Sequence, residues 1–230
     1  MSIKKNTQIL LQRLNVACEQ NGRDLSDMRV LLATKDQPPE AIRAAVEAGL
    51  HLMGENKVQE MVPKAKTLEG VEIVWHFIGQ LQTNKVKDCI DIVDTVQSVD
   101  RESLIEELQK QCTRVNRHLN VYLEVNTSGE ESKHGCQPTE VNKLLALINE
   151  SSRLHIRGFM TMGANTPNEK IVRQGFALLR NIRDTAIADG RIPETAFELS
   201  MGMSNDLEWA VAEGSTMIRV GSAIFGDRSD

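Results

Sequence analysis

The sequence predicts an α/β chain folded as a single (β/α)8 TIM barrel with an extra N-terminal helix, and three observations carry that prediction. Short β-branched or apolar runs alternate eight times with longer stretches of helical periodicity. Four helical stretches end at a glycine just before the next strand, Gly49, Gly70, Gly190 and Gly214, where a left-handed cap suits glycine. The 230 residues suit eight βα units closed on themselves, and no linker or low-complexity stretch divides them, so residues 1–230 read as one domain. An open doubly wound sheet is the alternative. Against it, no G-x-G-x-x-G follows the first strand, and glycines gather at strand ends throughout the chain.

Residues 1–21 carry Ile3, Leu10, Leu14, Ala17 and Cys18 near one helical face, with Gln, Asn and Arg between them, which predicts a packing helix and not a signal peptide. Strands are predicted at 29–34, 51–56, 72–79, 92–97, 119–127, 154–162, 196–200 and 216–225. Helical stretches between them include 39–48, 101–115, 139–150, 169–188 and 205–213, each long enough for a crossover between parallel strands.

Composition narrows the function. A net charge of −5 leaves no polycationic surface for nucleic acid. Eight aromatic residues are too few for a base-stacking platform or a membrane aromatic belt, and no apolar run is long enough to span a bilayer. Cys18, Cys89, Cys112 and Cys136 show neither a C-x-x-C pair nor histidine at zinc-ligand spacing. No metal or disulfide framework is expected, and a reducing cytoplasm fits best.

In such barrels the working residues close the C-terminal ends of the strands. Here those are Thr34-Lys35, Glu55-Asn56, Gln80, Ser98, Asn126-Thr127, Thr161, Ser200 and Arg219-x-Gly221-Ser222, with His76 earlier in its strand as either a core imidazole or a site residue. Small residues after Arg219 and around Gly202 would leave backbone N–H groups free at two helix starts, an anion site where barrels commonly hold a phosphate. Two ordinary helix N-caps are the plainer reading; Arg219 inside the strand argues for the anion. Lys35 is either a solvated lysine at a strand end, the commoner case, or, flanked by an apolar strand and facing that site, a desolvated amine free to form a Schiff base. A phosphate-bearing aldehyde satisfies both features, and spacing alone does not separate sugar-phosphate aldolase chemistry from pyridoxal phosphate.

Six blocks extend the pattern: Lys35 after its apolar strand, Met53 to Glu60, Trp75 to Lys85, Val125 to Gly135, Leu199 to Glu208 and Gly214 to Gly226. Together they resemble the pyridoxal phosphate homeostasis protein family, from Lys35 to Gly226. The resemblance implies a barrel like the N-terminal domain of alanine racemase that binds pyridoxal 5′-phosphate (PLP) without established catalytic turnover. It makes Lys35 the internal-aldimine lysine, sets Arg219 against the pyridine nitrogen, gives Ser200, Gly221 and Ser222 to the phosphate, and lines the ring with Asn56 and His76. PLP-dependent apo-enzymes are the implied recipients, and a monomer is expected. The chain departs from the family at Asp36-Gln37, where Thr-Lys is usual; a lost cation and an added carboxylate should weaken binding. Thr34 for Ser and Ser222 for Thr each keep a hydroxyl.

A vestigial alanine-racemase-like enzyme acting on amino acids is the alternative. Against it, arginine is a permanent donor and leaves the pyridine nitrogen unprotonated, which makes the ring a weak electron sink. Racemisation also needs a second base. The lone tyrosine, Tyr122, falls early in its strand and far from the mouth, leaving Cys136 or His134 as candidates on the following loop. Lys133 on that loop offers a second amine for transient transfer, or is simply a surface lysine.

Overall fold

Residues 2–226 are described by the structure, a computed structural model. Eight parallel strands close into a barrel in chain order, β1 (Arg29–Ala33), β2 (Leu52–Glu55), β3 (Val74–Phe77), β4 (Thr95–Val99), β5 (Leu119–Glu124), β6 (Leu154–Met160), β7 (Glu198–Ser200) and β8 (Met217–Val220). The open sheet is thereby excluded, because β8 pairs with β1, Leu31 lying opposite Arg219. Around the barrel run α1 (Ile3–Gln20), α2 (Pro39–Glu47), α3 (Val58–Thr67), α4 (Val86–Cys89), α5 (Glu102–Arg114), α6 (Val141–Glu150), α7 (Glu169–Ala188), α8 (Leu207–Ala212) and α9 (Ser222–Phe225). The single-domain reading of 1–230 extends past these described residues at both ends.

Gly49, Gly70, Gly190 and Gly214 all hold positive φ, between 67° and 90°, as their places after helices predict. Two strand predictions need correction. The fourth strand begins at Thr95, not Ile92, because Ile90 and Val93 are buried beneath the turn that closes α4 instead of pairing. The eighth ends at Val220, not Phe225, because Gly221 breaks the extended run and Ser222–Phe225 coils into α9.

Helix α1 starts at Ser2, whose side chain accepts the Lys5 N–H, and buries Leu10, Leu14, Ala17 and Cys18. It lies on the side of the barrel next to α2, α8 and α9. Polar clamps fix it there: Asn6 donates to the Ile224 carbonyl at 2.7 Å, and Arg13 forks onto Glu208 and donates to the Ser204 carbonyl.

Most of the aliphatic core fills the gap between sheet and helices, while Leu31, Tyr122, Met160 and Met217 pack together inside the barrel. Side chains alternate along a strand, so residues two apart from these also point inward. Toward the N-terminal end, Glu198 takes the Tyr122 hydroxyl and is bracketed by Arg29 at 2.8 Å and Arg157 at 2.9 Å. Gly158 lets β6 pass beside β7, since a Cβ there would sit 1.8 Å from the Glu198 carbonyl oxygen.

Candidate functional site

At the end of β1 the chain turns sharply. Gln37 N–H donates to the Thr34 carbonyl at 3.0 Å, and Asp36 takes φ of 60°, the left-handed value a type II turn needs at its third residue and one that aspartate tolerates. The turn is braced from α3: Glu60 accepts the Asp36 N–H at 3.0 Å, and Lys64 Nζ reaches the Thr34 carbonyl at 2.7 Å and Glu55 Oε1 at 2.6 Å. The Thr34 hydroxyl donates to the same Glu55 oxygen at 2.6 Å. Asp36 is thus built into the turn by its backbone, with its side chain exposed, where solvent screens its charge.

Lys35 lines a cavity of about 530 Å³ together with Ala33, Gln37, Asn56, Gly221 and Ser222. Asn56 reaches this position because Gly79 lets the chain after β3 pass against its backbone; a Cβ on Gly79 would lie 2.2 Å from the Asn56 oxygen. Across the cavity, no side chain among the described residues caps α9, which leaves its first amides open to an anion. The sequence-derived set Lys35, Asn56, Gly221 and Ser222 therefore shares one cavity.

His76, Ser200 and Arg219 form a second group, inside the barrel and nearly sealed from solvent. Arg219 donates to the Ser200 hydroxyl at 2.9 Å and its carbonyl at 2.7 Å, and its other terminal nitrogen donates to the Thr161 carbonyl at 2.7 Å. Ser200 donates in turn to Gln97 Oε1 at 2.6 Å, which leaves the Gln97 amide nitrogen to donate to His76 Nδ1 at 2.8 Å. The proton of the neutral ring then sits on Nε2, which is buried and has no partner among the described residues. Burial, with Arg29 adding to it, pushes the His76 ring down to about 3, so it is neutral. Ser200 is fully buried, its hydroxyl engaged on Gln97 and Arg219.

Burial pulls the Arg219 guanidinium down to about 10 against the pull of Glu124 and Asp206, so it keeps its charge at neutral pH. Tyr122 is held by Glu198 on the inside of the barrel, and burial with the Glu198 charge raises its hydroxyl out of the titrating range. Cys136 is buried and pushed up to about 12, chiefly by burial, so its thiol keeps its proton at neutral pH. His134 is exposed. Lys133 lines a different cavity, of about 620 Å³, with Met162, Asp206 and Trp209; its amine is engaged by the Gly163 carbonyl and by Glu130 at 3.1 Å.

Sequence reasoning missed Gln97, Lys64 and Glu124. A signal for Glu124 existed: Asn120, Tyr122 and Glu124 put a polar atom at every second residue of β5, between the apolar Leu119, Val121 and Leu123. Among the described residues, no three His, Cys, Asp or Glu side chains are grouped to hold a metal ion, and no helix is long and apolar enough to cross a membrane.

The alanine racemase N-terminal domain family matches residues 23–229. A pyridoxal phosphate homeostasis protein of Aquifex aeolicus is 39% identical over 95% of both chains. Its namesake in Haemophilus influenzae is 36% identical over 100% of this chain and 97% of its own. Among solved structures, PipY of Synechococcus elongatus with PLP bound superposes at a TM-score of 0.85 with 28% identity, covering 98% of this chain and 100% of its own.

Proposed function

Because the chain belongs to the pyridoxal phosphate homeostasis protein family, on the alanine racemase N-terminal fold, we propose that it binds PLP, holds it reversibly on Lys35 and yields it to PLP-dependent apo-enzymes. One observation carries the residue-level reading: the Lys35 amine and the uncapped start of α9 open on the same cavity of about 530 Å³. That volume suits a small cofactor. When bound, the cofactor supplies an aldehyde able to condense with an amine.

The residues present fit such a group. Lys35 offers the amine for a Schiff base, Gly221 and Ser222 offer main-chain and hydroxyl donors to a phosphate, and Asn56 borders the cavity. Among the described residues the His76 Nε2–H is a buried donor without an acceptor, as expected of a group facing a ligand. Arg219, fixed by Ser200 and Thr161, keeps a permanent charge in the barrel end and offers no acceptor for a pyridinium proton.

The same residues argue for a carrier and against turnover. A racemase requires a second base opposite the lysine, and Tyr122 is committed to Glu198 while Cys136 keeps its thiol proton. The protein is read as a cytoplasmic monomer. The test is transfer: the PLP-loaded, desalted protein should restore activity to an apo-enzyme, and added D- or L-alanine should lose no optical rotation. Failure to load or to transfer would sink the carrier reading, and loss of rotation would favour the racemase.

A further inference from the structure

Strand β5 sends two ionisable side chains into the barrel, Tyr122 and, one layer nearer the mouth, Glu124. Glu124 lies in register with Met160, which lies in register with Ser200, the residue against which Arg219 is fixed. Tyr122 is satisfied by Glu198. Glu124 is 4% exposed, and among the described residues its carboxyl group makes no hydrogen bond and no ion pair. A bare buried carboxylate is costly, so an acid kept in this position has either a proton or a purpose.

The charges around it are few. Asp100, just past β4, repels it, and Arg219 attracts it from β8. From β6, His155 and Arg157 sit toward the opposite end of the strand, Arg157 being taken up by Glu198. On α6, Lys143 is exposed and paired with Glu102, and Glu150 is exposed at the far end of the helix. Cys136, whose N–H donates to the Glu124 carbonyl, is a neutral thiol, and Asp206 acts on Arg219 from the β7 side.

Resting on the reading of this barrel end as a PLP site, we propose that Glu124 sets the charge of that site and thereby its hold on the cofactor. Protonated, Glu124 leaves the Arg219 cation free to attract an anionic ligand; ionised, it cancels that cation and repels the phosphate. Burial first, then Asp100, hold its carboxyl up at about 7 against the pull of Arg219, so the switch between these forms falls near neutral pH. Because the anion binds the protonated form better, binding favours proton uptake, and Glu124 lowers affinity as pH rises through this range.

Glu124→Gln keeps the side chain's size and removes its titration. PLP binding by equilibrium dialysis at pH 6 and pH 8 should give wild type and variant similar affinities at the lower pH. At the higher pH the variant should bind several-fold more tightly; one linked proton permits at most about tenfold per pH unit. Comparing the two proteins cancels the titration of PLP itself and of every group they share. A ratio that does not change with pH overturns the proposal while leaving the cofactor reading intact. No binding by either protein at either pH overturns both. Should that variant fail to fold, Glu124→Met, equally without a titrating group, takes its place in the same comparison at pH 6 and pH 8, with the same supporting and overturning outcomes.

Discussion

Lys64 Nζ lies 2.6 Å from Glu55 Oε1 and 2.7 Å from the Thr34 carbonyl, so one cation on α3 ties the end of β2 to the turn that carries Lys35. Glu55 is fully buried, and among the described residues its second oxygen has no partner and Lys64 is the cation paired with it. Removing one member of a buried pair strands the other. Lys64→Met should therefore destabilise the protein by about 3 kcal/mol in urea unfolding, and Lys64→Met with Glu55→Leu should recover most of that loss. Equal instability of the single and double variants would contradict this assignment.

The Tyr122–Glu198 contact is structural. Glu198 keeps both arginines when the hydroxyl is removed, so Tyr122→Phe should cost only about 1–2 kcal/mol in thermal unfolding. PLP binding should be unchanged, because the contact faces away from the Lys35 cavity. A loss of binding in a folded variant would give Tyr122 the role in the site that the carrier reading denies it.

Gly79 should tolerate no side chain. A Cβ there overlaps the Asn56 backbone at 2.2 Å, and backbone cannot swing aside as a flexible side chain does. Gly79→Ala should displace Asn56 and weaken PLP binding at least several-fold while the circular dichroism stays that of an α/β fold. Unaltered binding would show that Asn56 contributes little to the cavity.

Acid stability should reveal two opposed protons. Folding holds the His76 ring neutral to about 3, against 6.5 when unfolded, so unfolding takes up a proton in that window and stability falls as pH falls. Glu124 does the reverse: the folded chain keeps up to about 7 a proton that the unfolded chain loses near 4.5, so its contribution falls as pH rises. Between 6.5 and 4.5 the two largely cancel. Glu124→Gln removes one side, and its stability should fall on acidification more steeply than wild type, by about 1.4 kcal/mol per pH unit. Parallel urea-derived curves for the two proteins would contradict the assignment.

Much of this was legible in the chain because barrels repeat. Eight apolar runs, glycines after helices and polar residues closing strands are local signals, and they led to Lys35, Asn56, Gly221 and Ser222, which share a cavity. What escaped was long-range or masked locally. Helix α3 contains Pro63, which argues against a helix in isolation, yet Val58 and Met61 are buried and hold it. Ser200 could be read as closing a strand; that its hydroxyl donates to Gln97, 103 residues away in sequence, follows only from barrel closure. Glu55, Lys64 and Glu124 likewise gain their meaning from neighbours that the linear order does not bring together.

The central claim is that Lys35 carries the cofactor, and reductive trapping tests it most directly. Wild-type protein incubated with PLP should absorb near about 420 nm, as a protonated Schiff base does, and borohydride should bleach the band and fix the pyridoxyl group on the peptide containing Lys35, both effects being lost in Lys35→Ala. A wild-type protein that stays colourless, or a label fixed on any other lysine, would contradict the account.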